Sequence, residues 1–235
     1  MHTPENSGIP GPQTEYAITS PIPEPVARVA ELMSGFPAPW CLCGGWAVDA
    51  WLGRITREHG DLDVTVFEDA ELALFQHLAD WQMVAHDGAF ADGDAAEQWN
   101  GRKLQLPAHL HCRAPEDRAD MPGLVNDAAN QGFGLEIVIN GRTDTDWILN
   151  NEASVTLPLD RCVRQSPWEL PTLVPEVLLL YKATAYAGTH NYLRRRDHLD
   201  FERLLVRLTL GQRSWLHEAI SRIDRDHPWL GVLSR

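Results

Sequence analysis

Apolar positions fall into two periodicities along the chain, and the switch between them outlines the fold. Val26, Val29, Ala30 and Met33 recur at i, i+3, i+4 and i+7, one stripe of a helix that Ser34-Gly35 closes before Pro37. Trp40 to Cys43 reads as a short apolar strand, and Gly44-Gly45 follows as a turn. Trp46 to Leu52 then has the length of a short helix stopped at Gly53. From Asp61 the period becomes two: Leu62, Val64 and Val66 face one way, Asp61, Asp63 and Thr65 the other. A helix is expected over Ala70 to Trp81. Further strands are expected at Met83–Ala85, His109–Cys112 and Leu135–Ile139, separated by Gly/Asp-rich loops at 87–94 and 114–134.

Beyond Pro158 the helical period takes over. Pro175 suits the first turn of a helix carrying Val177, Leu178, Tyr181 and Lys182. Phe201, Leu204, Leu205 and Leu208 mark another helix, and Trp215, Leu216, Ala219, Ile220 and Ile223 a third. The fold class is therefore α/β (α+β), a mixed sheet with flanking helices followed by a C-terminal helical part. Residues 1–20, with Pro4, Pro10 and Pro12, read as a mobile tail. Residues 21–160 form the sheet-bearing domain and 161–235 the helical one.

Composition narrows the classes. The chain has 235 residues, 33 acidic against 20 basic, for a net charge of −13. Such a charge repels phosphate backbones and argues against a nucleic-acid coat, while a cationic partner is better matched. A membrane span needs about 20 consecutive apolar residues, and the run Val177 to Tyr181 is bounded by Glu176 and Lys182. The N-terminus shows neither a basic nor an apolar leader region, so a cytoplasmic protein with four buried free thiols (Cys41, Cys43, Cys112, Cys162) is expected.

Three carboxylates carry the chemistry. Asp61 and Asp63 project from one strand face about 6–7 Å apart, and Glu136 interrupts the apolar strand Leu135-Glu136-Ile137-Val138-Ile139. If the two strands are neighbours, three negative charges converge, which forces a proton onto one of them or demands a cation. All-oxygen donors suit Mg²⁺, which binds through one or two carboxylates plus substrate phosphates. Gly44-Gly45 at a strand-to-helix turn offers backbone N–H groups to an anion. His109 and His111 share a strand face, but Cys112 points away and no second ligand group has zinc spacing, so no zinc site is expected. Trp99, Trp147 and Trp168 are expected in the core or at its rim. Asp87, Asp92, Asp94 and Glu97 read as an acidic loop, and Arg194-Arg195-Arg196 as a solvated helix start or a partner to Asp197 and Asp200.

Cys43-Gly44-Gly45-Trp46-Ala47-Val48-Asp49 and Leu52-Gly53-Arg54-Ile55-Thr56-Arg57-Glu58-His59-Gly60-Asp61-Leu62-Asp63-Val64 resemble the signature of the antibiotic nucleotidyltransferases of the polymerase-β superfamily. The resemblance is to the branch with aminoglycoside 2″-adenylyltransferases and lincosamide nucleotidyltransferases. It continues through Leu135-Glu136-Ile137, Leu173 to Ala183 and Arg196 to Glu202, spanning roughly residues 26–230. It implies transfer of NMP, AMP foremost, from an NTP to a hydroxyl of a small cationic antibiotic such as an aminoglycoside. Asp61, Asp63 and Glu136 would hold Mg²⁺, two ions about 3.5–4 Å apart, with Glu136 as general base. Glu136 stands where many members carry Asp. Gly44, Gly45 and the Trp46 N–H would cradle phosphates, and Arg54, Arg57 and Lys182 would balance their charge. Asp49 and His59 are expected to give supporting hydrogen bonds. A lincosamide, a protein or a tRNA as acceptor, and a non-catalytic nucleotide-binding role, are the alternatives; monomer and homodimer are both open.

Overall fold

Pro23 and Pro25 pre-set the backbone for the first helix, α1 (Glu24–Ser34), which buries Val26, Val29 and Met33. The structure is a computed structural model and describes residues 20–88, 97–115, 134–184 and 193–235. The tail expected at 1–20 lies outside these residues except for Ser20, as do most of the two expected loops.

Strand β1 (Trp40–Leu42) leads directly into α2 (Gly44–Leu52), so the glycine pair forms the first turn of that helix instead of preceding it. Gly53 ends α2 at φ 68°, its N–H bonding Ala50 and Asp49 carbonyls. Strand β2 (Leu62–Phe67) carries the period-two pattern. The helix expected over Ala70 to Trp81 is shorter. A 3-10 turn at Glu68–Ala70 opens into α3 (Glu71–His77), after which the Trp81 N–H bonds the Leu78 carbonyl. Leu78 and Trp81 are both buried, so a turn satisfies the same i, i+3 apolar pair that suggested more helix.

Next come β3 (Gln82–Asp87), β4 (Glu97–Gln98), β5 (Ala108–Arg113) and β6 (Leu135–Arg142). Two strands the periodicity did not flag, β7 (Asp146–Leu149) and β8 (Glu152–Pro158), follow as a hairpin. A short helix α4 (Leu159–Cys162) and strands β9 (Val163–Gln165) and β10 (Pro171–Leu173) lead to the helical segment. That segment consists of α5 (Pro175–Thr184), α6 (Arg195–Leu205), α7 (Leu210–Ile223) and α8 (Leu230–Leu233).

The strands form one mixed sheet in the order β4-β3-β5-β6-β2-β1-β10-β9, with β7 and β8 extending from β6. Two pairs are parallel, β2 with β6 and β1 with β10. Strand pairing thus continues to Leu173, past residue 160, and among the described residues only helices follow from Pro175. Helix α2 packs on β2 and also contacts α5 and α6. The Trp51 indole N–H donates to the Leu173 carbonyl at 2.7 Å and ties α2 to β10. Trp99, Trp147 and Trp168 are all buried, as are the four cysteines, which are free thiols. Among the described residues, no helix is long and apolar enough to cross a membrane.

Candidate active site

The parallel register of β2 with β6 pairs Asp63 with Glu136, side by side on one face of the sheet. One carboxylate oxygen from each of Asp61, Asp63 and Glu136 lies within 4.8 Å of the other two. The convergence that the sequence left conditional on neighbouring strands is therefore present. These groups line a cavity of about 560 Å³ between the sheet and the helical segment. Gly44, Gly45 and Arg57 form one side of it, and Tyr181, Lys182, Arg194 and Arg196 another.

The glycine pair is required by close approach. Gly44 has φ +63°, and a Cβ there would stand 1.7 Å from Asp63 Oδ2. A Cβ on Gly45 would meet Arg57 at 2.3 Å and His59 Nδ1 at 2.7 Å. The Gly45 N–H itself bonds Asp63, so the amino end of α2 faces a carboxylate of the protein. Trp46 has its ring buried and stacked on His59 at 4.2 Å, away from the cavity lining, so only its N–H is placed at the helix start. Asp49 accepts from the Thr56 N–H at 3.1 Å and bonds His59 Nε2 at 2.7 Å, fixing the loop that carries Arg57.

The cations divide. Arg57 lines the cavity, 3.5 Å from Asp200, and its buried Nε has no partner among the described residues. Arg54 is exposed and outside the lining. Lys182 lines the cavity but is buried between Asp197 at 3.3 Å and Asp200 at 2.9 Å. Arg194 pairs with Asp197 at 2.7 Å, in keeping with the partner role expected of that basic run. Asp87 is paired with Arg102 at 2.8 Å; Asp92 and Asp94 lie outside the described residues.

Burial and the adjacent Asp61 push the Asp63 carboxyl up to about 6, against the pull of Lys182, the Gly45 N–H and Arg57. Burial, then Asp63 and Asp61, push Glu136 up to about 8. Without a counter-ion the cluster keeps a proton at neutral pH. An all-oxygen donor set under this electrostatic strain fits Mg²⁺.

Sequence reasoning missed the cavity floor. The Thr65 hydroxyl donates to the Val138 carbonyl at 2.8 Å, Asn140 donates to Thr65, and the Tyr181 hydroxyl donates to Asn140. The buried polar Asn140 in an apolar strand was the available signal. It also missed His86, which stands directly opposite His109 across β3 and β5. Burial, reinforced by His111 and His86, holds His109 down to about 3.

A mixed sheet with a Gly-Gly helix start, Asp61 just before β2, Asp63 on β2 and Glu136 on its parallel neighbour is the arrangement expected of a nucleotidyltransferase. Solved structures share the fold. The chain resembles the crystal structure of ANT(2")-Ia in complex with adenylyl-2"-tobramycin, with TM-score 0.50 and 14% identity, covering 85% of this chain and 97% of that one. The solution structure of the antibiotic-resistance factor ANT(2'')-Ia gives TM-score 0.51 and 14% identity over 84% and 90%. The lincomycin-bound lincosamide antibiotic adenylyltransferase LnuA gives TM-score 0.48 and 16% identity over 79% and 98%. At such identities the likeness to ANT(2")-Ia fixes the fold alone. More particularly, residues 25–91 match the family model described as aminoglycoside-2''-adenylyltransferase, a stretch that includes Gly44, Gly45, Asp61 and Asp63. Matched segment and fold together bear out the resemblance to the antibiotic nucleotidyltransferases and support a nucleotidyltransferase. A comparison with curated protein sequences gives no significant match.

Proposed function

We propose that the chain is a Mg²⁺-dependent enzyme that moves NMP, AMP foremost, from an NTP to a hydroxyl of a small cationic antibiotic of the aminoglycoside type. The observation that carries this reading is the register of Asp63 against Glu136, which gathers three carboxylates beside a cavity of about 560 Å³.

Asp61, Asp63 and Glu136 would hold the cation. When bound, Mg²⁺ supplies charge neutralisation at the transferring phosphoryl group and its leaving pyrophosphate. Arg57, which lines the cavity, binds phosphate oxygens through its guanidinium, and the Gly44 and Trp46 N–H groups add the positive end of α2. Lys182 contributes its charge through Asp197 and Asp200, positioning the Arg57 and Arg194 heads that they hold. Glu136, on the strand nearest the histidines, orients the acceptor hydroxyl and takes its proton as the oxygen attacks phosphorus. The net charge of −13 favours a cationic acceptor once the phosphate pocket has its own cations.

Purified protein with Mg-ATP and an aminoglycoside panel should release pyrophosphate and yield a nucleotidylated antibiotic by mass spectrometry, and Asp63→Asn should abolish both. Silence across aminoglycosides, lincosamides and all four NTPs would refute the reading.

A further inference from the structure

A second group of metal-ligating side chains lies against the carboxylates. His86 on β3 pairs in register with His109 on β5, and His111 follows two residues along the same face. One ring nitrogen from each of the three lies within 4.8 Å of the other two. The ring centroids are 4.6–4.9 Å apart, with His111 tilted 52–54° to the parallel rings of His86 and His109. On the next strand Glu136 stands opposite His111, its carboxylate oxygens 3.9 Å from His109 Nε2 and 3.9 Å from His111 Nε2.

We propose that His86, His109 and His111 form a binding site for a divalent transition-metal cation of the zinc class, with Glu136 as a fourth ligand shared with the carboxylate cluster. The donor set decides the cation. Three imidazoles and one carboxylate suit zinc and its neighbours, whereas Mg²⁺ prefers the all-oxygen set alongside. Metal–nitrogen bonds of about 2.0–2.1 Å at tetrahedral angles place ligand nitrogens roughly 3.3 Å apart, a contraction that side-chain rotation can supply without moving the strands. Two adjacent antiparallel strands hold all three rings, so the backbone is organised before the ion arrives. Cys112, next along β5 after His111, is buried on the opposite face and takes no part. Because Glu136 serves both groups, an ion on the histidines draws this carboxylate toward itself. The histidine site stands on the β3–β5–β6 geometry and does not depend on the transferase reading.

The test uses the full chain, stripped by chelator and held in excess Mg²⁺ to occupy oxygen sites. Zn²⁺ is titrated against a chromophoric chelator, and Co²⁺ serves as the spectroscopic probe. One equivalent of Zn²⁺ should bind, and Co²⁺ should give the visible bands of a four-coordinate nitrogen-rich site. His86→Gln and His109→Gln should each weaken Zn²⁺ binding roughly tenfold or more, while Asp61→Asn, which leaves the histidines intact, should retain it. No Zn²⁺ uptake by the native chain overturns the proposal. So does uptake that survives both histidine substitutions together, or a loss in Asp61→Asn equal to theirs, since either places the ion elsewhere. Should a histidine variant fail to fold, the Co²⁺-loaded native chain decides by proton NMR: paramagnetically shifted imidazole N–H signals support the site and their absence refutes it.

Discussion

Replacing Glu136 with Gln should make the metal-free protein more stable as the pH rises, while removing a group that the proposed reaction needs. Glu136 holds its proton to about pH 8 instead of the usual 4.5, because burial and then Asp63 and Asp61 oppose its charge. Between those values the unfolded chain has released the proton and the folded chain has kept it. Folding then takes up a proton, so native stability falls as pH rises through this window and levels off above about pH 8. Each unit of the 8 − 4.5 interval corresponds to about 1.36 kcal/mol, which bounds the effect near 5 kcal/mol. The side chain is 24% exposed, and solvent screening brings the expected gain of Glu136→Gln to about 2–4 kcal/mol at pH 8.5, with none at pH 4.5. For a chain of this length that is a rise of roughly 4–16 °C in Tm. Thermal unfolding of both proteins in chelator across pH 4.5 to 8.5 measures it, and added Mg²⁺ should shrink the difference by favouring the ionised carboxylate. Parallel Tm curves across the range would show that Glu136 ionises normally and that the carboxylates are not crowded as described.

Two further substitutions probe the frame around the cluster. Gly44→Ala puts a Cβ 1.7 Å from Asp63 Oδ2 at a left-handed backbone position, so Asp63 must move by more than an ångström. We expect about 2–4 kcal/mol lost in thermal unfolding, with roughly 1–2 of it from the backbone alone. Turnover should fall about a hundredfold or more; unchanged turnover would remove Gly44 from the site. Lys182→Met strips the shared cation from Asp197 and Asp200, both fully buried, and should cost about 3–5 kcal/mol, toward the lower end because Arg194 and Arg203 still pair with them. A loss below about 1 kcal/mol in denaturant unfolding would show that those arginines suffice.

What was local in sequence was legible. The helical stripe of Val26, Val29 and Met33, the Gly-Gly turn, and the two-residue period that put Asp61 and Asp63 on one face follow from backbone geometry within a few residues. The odd carboxylate in Leu135–Ile139 stood out because apolar strands rarely carry one. Weaker signals failed. The alternation of Trp147 with Leu149 and of Val155 with Leu157 marks β7 and β8, but four to seven residues of it compete with ordinary loop composition. Leu78 and Trp81 read as helix because an i, i+3 apolar pair suits a turn equally well.

Partners distant along the chain were decided only by tertiary structure. Sequence placed Lys182 among candidate phosphate ligands, yet the packing of α5 beside α6 sets its ammonium between two aspartates 15 and 18 residues on. It set aside His109 and His111 as metal ligands because Cys112 points away and no second ligand group has zinc spacing, and the pairing of β3 with β5 sets His86 beside them. Sequence by itself determined the residue types, the faces they occupy and the class of chemistry available, because side-chain alternation and turn requirements are properties of a short stretch of backbone. Strand order and register determined which carboxylates, cations and imidazoles meet, since hydrogen-bonded pairing of β2 with β6 and of β5 with β3 brings together residues separated by up to 73 positions.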